Sequence, residues 1–270
     1  MTVTLDWFGC TTYRLNIDGL VVLLDTFMDR ISSAPDNGVT SADIKEADFA
    51  IIGHSHMDHI EGADIIAKNT GAKVIGSYET ARVLAEAGVQ NDQLLPSAGG
   101  ELHHLNDDVN VRGFPSLHSC IWSTAAPSGV NLTGDLGVPQ GERTARLAAN
   151  RDDPTQLPPE LAAELKELDA MRIGSPGILA GIRADVMIMG CAGRGNIDGE
   201  PIQGSVEDYV AGVLSIVSPK RVVLGHHDNW AGALEAPDLT DITPISERLA
   251  RVAPDIEVIE PGYQDGMRLL

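Results

Sequence analysis

The chain has 270 residues, room for one large domain or two small ones, and 43% of them are hydrophobic, which excludes a disordered polymer. Lys and Arg number 19 against 39 Asp and Glu, a formal net charge of −20. Such a surface repels phosphate backbones, so nucleic acid is not expected as a substrate or partner, although bound divalent cations would offset part of the charge locally.

The first elements read as a β-meander. Val3 to Phe8, Tyr13 to Ile17 and Leu20 to Asp25 carry clustered or alternating β-branched and aromatic residues, with turn signals at Gly9 and at Asp18-Gly19. Ala47 to Gly53 is a short apolar run that suits a buried strand. Helices are expected over Asp64–Lys68 and Glu79–Ala87, with a strand at Lys73–Ile75 between them. From Leu94 to Leu132 the pattern returns to short strands, clearest at Val109–Arg112 and Val130–Leu132.

Residues 137–183 differ in character, with Asp152-Asp153-Pro154, Pro158-Pro159 and a helix expected over Glu160–Met171. This reads as a helical insertion: structural padding, a homo-oligomer contact, or a lid over a site. Strands follow at Ala184–Met189, Arg221–Leu224 and Ile256–Ile259, and helices at Ser205–Val217, opened by a Ser-x-x-Asp cap, and Ile242–Val252. Each half runs from strands into helices alternating with strands. That order predicts one α/β domain over 1–270, with two packed sheets and helices on the outer faces.

Three widely spaced cysteines, Cys10, Cys120 and Cys191, fit buried free thiols in a reducing compartment better than a disulfide framework. Residues 1–6 lack a basic, then apolar, leader, and no apolar run approaches the ~20 residues of a membrane span. A cytoplasmic protein that does not engage the membrane is the expectation.

The chemistry concentrates in His54-Ser55-His56-Met57-Asp58-His59, directly after the Ala47–Gly53 run. In extended backbone, residues two apart point to the same side, so His54 and His56 can converge on one cation. Asp58 and His59 follow where the chain turns toward a helix, and can face a second cation. Imidazole and carboxylate suit Zn²⁺, and also Mn²⁺ or Fe²⁺. Two cations need further ligands, and His118, Asp135 and His226 each lie just past a short apolar segment. His226 and His227 would point to opposite faces, so only one of them easily reaches the site. His103 and His104 sit in the polar stretch Glu101–Asp108 and read as surface residues.

HSHMDH, SLHS around His118, TGDLG around Asp135 and LGHHDNW around His226, in that order, resemble the metallo-β-lactamase fold superfamily. The opening LDWFGCTTYRL, then LLDTF, and the late Glu260-Pro261-Gly262 are similar to the branch typified by ascorbate-6-phosphate lactonase. The resemblance covers nearly the whole chain outside 137–183. It implies an αββα sandwich of two mixed sheets. It also implies two divalent cations: one on His54, His56 and His118, the other on Asp58, His59 and His226, with Asp135 bridging. His226 is the member of the His226/His227 pair that it selects. Cys10 departs from a pattern that often has histidine there, and reads either as a buried thiol filling the space or as a changed pocket edge.

The implied activity is hydrolysis of a small ester or lactone by a hydroxide bridging the cations, with Asp58 also orienting it or accepting its proton. Arg194 could hold an anionic group of the substrate, or simply face solvent. Phosphodiester cleavage, and iron-dependent redox chemistry on the same fold, are the alternatives.

Overall fold

The computed structural model describes residues 1–114, 181–191, 206–232 and 237–270. In chain order the strands are β1 (Val3–Trp7), β2 (Tyr13–Ile17), β3 (Leu20–Leu24), β4 (Phe49–Ile51), β5 (Lys73–Gly76), β6 (Leu94–Pro96), β7 (Leu102–His104), β8 (Asn110–Arg112), β9 (Val186–Gly190), β10 (Arg221–Gly225), β11 (Glu257–Ile259) and β12 (Met267–Arg268). The helices are α1 (Met57–Ile60), α2 (Ala63–Thr70), α3 (Tyr78–Glu86), α4 (Val206–Val217) and α5 (Thr243–Val252).

One sheet has seven strands in the order β12-β1-β2-β3-β4-β5-β6. Its β12-β1-β2-β3 half is antiparallel and its β3-β4-β5-β6 half is parallel. A second sheet, β11-β10-β9, is parallel throughout its described strands. The hairpin from β2 to β3 turns on two residues, Asp18 and Gly19, both at positive φ. Positive φ at both positions matches the strand twist, which is why Asp-Gly predicts this turn.

Three apolar cores separate four layers. Because successive strand residues face opposite ways, each inner strand feeds two of them. Val3, Leu5, Trp7 and Tyr13 meet Val223 between the sheets. Leu23, Ala50, Ile52 and Val74 face Ala63, Ile66 and Ala67 of α2 and Leu84 of α3. On the far side, Met189, Val222 and Leu224 face Val210 and Leu214 of α4 and Ile245 and Leu249 of α5. The result is the αββα sandwich. Each fully buried side chain of this size contributes roughly 1.5–3 kcal/mol, so the interlayer packing dominates what holds the strands in register.

Two short elements escape the sequence pattern. Leu102–His104 pairs with Asn110–Arg112 as a separate ribbon, although Glu101–Asp108 is polar. Met267–Arg268 adds β12 to the edge of β1. Both are held by backbone pairing, to which apolar periodicity is blind. His104 is exposed as expected, but His103 is half-buried with its Nε2 shielded. The Val130–Leu132 strand, the Glu160–Met171 helix, the Ser205 cap and nearly all of the 137–183 insertion lie outside the described residues. No helix among the described residues is long and apolar enough to cross a membrane.

Candidate metal centre

The site forms where strands of both sheets end at one rim, the usual place for ligands in an α/β sheet. Four strand ends supply it. β4 runs through Ile52-Gly53 into His54 and His56. His56 then caps α1, which carries Asp58 and buries His59. β3 ends into Asp25, β10 into His226, and β1 leads through Phe8-Gly9 into Cys10. Asp25, His226 and Cys10 all have positive φ, at 53°, 58° and 48°. Non-glycine residues reach this region at a cost of about 1–3 kcal/mol, so the surrounding packing must impose it. In each case the turn swings a side chain out of the strand plane toward the rim.

The ring nitrogens His54 Nε2 and His56 Nδ1 face each other at 2.9 Å. Two nitrogen ligands on one tetrahedral cation stand about 3.3 Å apart, so a small opening of this pair accommodates an ion. His54, His56 and Asp58 can offer ligand atoms that all lie within 4.8 Å of one another. Cys10, Asp58 and His226 form a second such group, so Asp58 belongs to both. His59 Nε2 is 3.5 Å from Asp58 Oδ2. Its Nδ1 is fixed at 2.7 Å from Asp25 Oδ2, which also accepts a 2.8 Å hydrogen bond from Thr11 Oγ1. Asp25 Oδ1 accepts from the Gly53 N–H at 2.8 Å, tying the strand before the motif to the same carboxylate. A carboxylate behind a histidine, orienting its free nitrogen, is the support that metal-binding imidazoles generally need.

The electrostatics suit a cation. Burial, and then the nearby His59, lower the His226 pKa, keeping that ring neutral as a ligand must be. His226 Nδ1 is buried with no partner among the described residues, a cost that argues for a function of this ring. For His59, burial favours the neutral form, but the hydrogen bond and charge of Asp25, with Asp58 behind them, raise its pKa overall. Two carboxylates thus make a negative pocket around His59 that a divalent ion would neutralise. Imidazole, carboxylate and thiol together fit Zn²⁺ and its neighbours in the first transition row.

Five of the seven expected ligands, His54, His56, Asp58, His59 and His226, come together here. His118 and Asp135 lie outside the described residues, as does Arg194. His227 points away: its ring stacks on Trp7 with centroids 4.9 Å apart at 17°. The sequence reading missed Asp25, Thr11, Arg30 and Asp228. A carboxylate closing the apolar strand Val21–Leu24 was the available signal for Asp25. Asp228 Oδ1 accepts from the Cys10 N–H at 2.9 Å, and Oδ2 binds Arg30 Nη2 at 2.5 Å and the Tyr263 hydroxyl at 2.9 Å. No local pattern announces that network, because Cys10 and Asp228 are 218 residues apart in the chain.

Comparison with known proteins places the chain in a family. The beta-lactamase superfamily domain matches residues 21–141, a span that includes the His54–His59 segment. A UPF0173 metal-dependent hydrolase of Pyrobaculum calidifontis is 33% identical over 261 residues, covering 95% of this chain and 96% of the relative. The protein belongs to that family of metal-dependent hydrolases. Igni18, a metallo hydrolase from Ignicoccus hospitalis, superposes on the hydrolase with a TM-score of 0.58 at 17% identity, covering 99% of this chain and 98% of its own. CmlA, a diiron beta-hydroxylase from Streptomyces venezuelae, gives 0.55 at 16% identity, covering 97% of this chain and 53% of its own. At such identities these two show the shared fold alone. The hydrolase therefore has the metallo-β-lactamase fold.

Proposed function

We propose that this hydrolase opens a small ester or lactone using two divalent cations, with zinc the cation its donor set fits best. The observation that carries the reading is the position of Asp58, within ligand reach of the His54/His56 pair on one side and of His226 on the other. A carboxylate that stands between two groups of imidazoles brings the two sets of donors close enough for neighbouring cations. The assignment puts His54 and His56 on one cation, completed by His118, and Asp58, His59 and His226 on the other, with Asp135 between them.

When bound, the cations supply Lewis acidity, which acidifies a water nucleophile toward neutral pH and polarises the electrophile. The chain's own residues do the rest. Asp58, partly exposed beside His59, orients the nucleophile or takes its proton at a carboxylate oxygen. Asp25 and Thr11 hold the His59 ring so that its Nε2 stays aimed at Asp58. The net charge of −20 disfavours polyanionic substrates and so favours a small molecule over a nucleic acid. The choice of ester or lactone is supported by the resemblance of the LDWFGCTTYRL and LLDTF segments to lactonase-type sequences.

The test loads metal-stripped protein with zinc, manganese or iron and assays lactones, thioesters and phosphodiesters side by side. Lactone or ester turnover that disappears on chelation is expected. Turnover that survives complete metal depletion, or that is confined to phosphodiesters, sinks the reading, and an oxidation seen only with iron replaces it by redox chemistry.

A further inference from the structure

Among the described residues at this rim, Cys10 stands in ligand reach of Asp58 and His226, and the hydrolytic reading gives it no task. It is completely buried, yet it sits at a positive φ of 48° that a cysteine adopts only under constraint. The constraint is visible. Its N–H donates to Asp228 Oδ1 at 2.9 Å, and its carbonyl accepts from Trp7 Nε1 at 3.0 Å. Asp228 is itself locked by Arg30 and Tyr263. Gly9 makes the approach possible, since a Cβ there would run into the Arg30 guanidinium. All of this backbone engineering places one atom: Sγ lies 3.9 Å from His226 Nε2 and 3.5 Å from the Asp58 carbonyl oxygen.

We propose that Cys10 Sγ is a protein ligand of the cation assigned to Asp58, His59 and His226, standing in ligand reach of Asp58 and His226. The inference rests on the metal-site reading above and adds a ligand to it. The distance supports it directly. With about 2.3 Å to sulfur and about 2.0–2.1 Å to nitrogen, S and N on one tetrahedral zinc stand about 3.6 Å apart, close to the separation found here. A coordinated thiol is deprotonated outright, its proton passing to solvent. The thiolate also brings a second negative charge beside Asp58, which offsets more of the cation's charge than a histidine would.

The test is cobalt(II) loading of the metal-stripped protein, with bound metal counted by elemental analysis and the near-ultraviolet spectrum recorded. A sulfur-to-cobalt charge-transfer band is expected in the wild type. It should persist in Cys120→Ala and Cys191→Ala and vanish in Cys10→Ser. Cys10→Ser should also weaken zinc binding at this site by at least the roughly 10–100-fold that losing an outer partner costs. Cobalt bound without the band, or a band that survives Cys10→Ser, overturns the proposal. Should Cys10→Ser fold poorly, the Cys120→Ala/Cys191→Ala double variant decides the matter, since Cys10 is then the only thiol left in the chain and loss of the band there overturns the proposal. A single equivalent of cobalt carrying the Cys10-dependent band would uphold the ligand while overturning the two-cation reading. Failure to bind cobalt at all would overturn both.

Discussion

Asp25 grips His59 from behind: His59 Nδ1 lies 2.7 Å from Asp25 Oδ2, which leaves His59 Nε2 facing Asp58 Oδ2 at 3.5 Å. The carboxylate therefore fixes both the tautomer and the aim of a candidate ligand. Asp25→Asn keeps the size and tolerates the positive φ, since asparagine enters that region readily. It removes the charge. Metal affinity is expected to fall by about 10–100-fold with the fold intact, measured by competition against a chromogenic chelator with circular dichroism as the control. An unchanged affinity would mean that His59 does not ligate.

His226 and His227 are neighbours with opposite roles. His226→Ala should abolish binding of one cation, because its ring stands with Cys10 and Asp58 at the rim. His227→Ala should leave metal content unchanged and instead lower stability, because its ring packs on Trp7 in the intersheet core. Elemental analysis and urea unfolding of the two variants separate the outcomes; metal loss in His227→Ala alone would reverse the assignment.

Arg30 and Asp228 form a salt bridge whose side chains are 4% and 0% exposed. Arg30→Ala leaves the Asp228 carboxylate buried with, among the described residues, Cys10 N–H and the Tyr263 hydroxyl as the partners of its side chain. Removing one partner of such a pair typically costs about 3–5 kcal/mol. Urea unfolding of the metal-free protein should show a loss of that order, whereas a shift below about 1 kcal/mol would place the pair among the inconsequential ones.

Gly225 brings the sheets together: a Cβ there would stand 1.7 Å from the Tyr13 hydroxyl. Gly225→Ala should destabilise by about 1–3 kcal/mol through overpacking. Tyr13→Phe in the same chain should recover part of that loss, since the phenolic oxygen makes the closest contact and has no hydrogen-bond partner among the described residues. Additive losses in the double variant would refute the contact as the cause.

Metal removal tests the site as a whole. Chelation should lower the melting temperature, and reloading should restore it, since a ligand at 100 times its Kd stabilises the folded state by about 2.7 kcal/mol. Two equivalents per chain at saturation are expected by elemental analysis.

The sequence alone determined the layered α/β architecture and the candidate metal-binding segment. Strand parity is a local property, so Val3, Leu5 and Trp7 on one face, or Leu23 and Leu24 on two, are readable from spacing. The same holds for His54 and His56, whose convergence follows from extended backbone. It also holds for the Asp18-Gly19 turn. Tertiary structure decided what lies behind and beside those ligands. Asp25 reaches His59 across 34 positions, and Cys10 reaches His226 across 216. Such meetings depend on which strand ends share a rim and on three positive-φ residues that redirect side chains there. Long-range contacts such as Cys10 N–H to Asp228 accompany those dihedrals, which run against local preference, so no window of sequence records them.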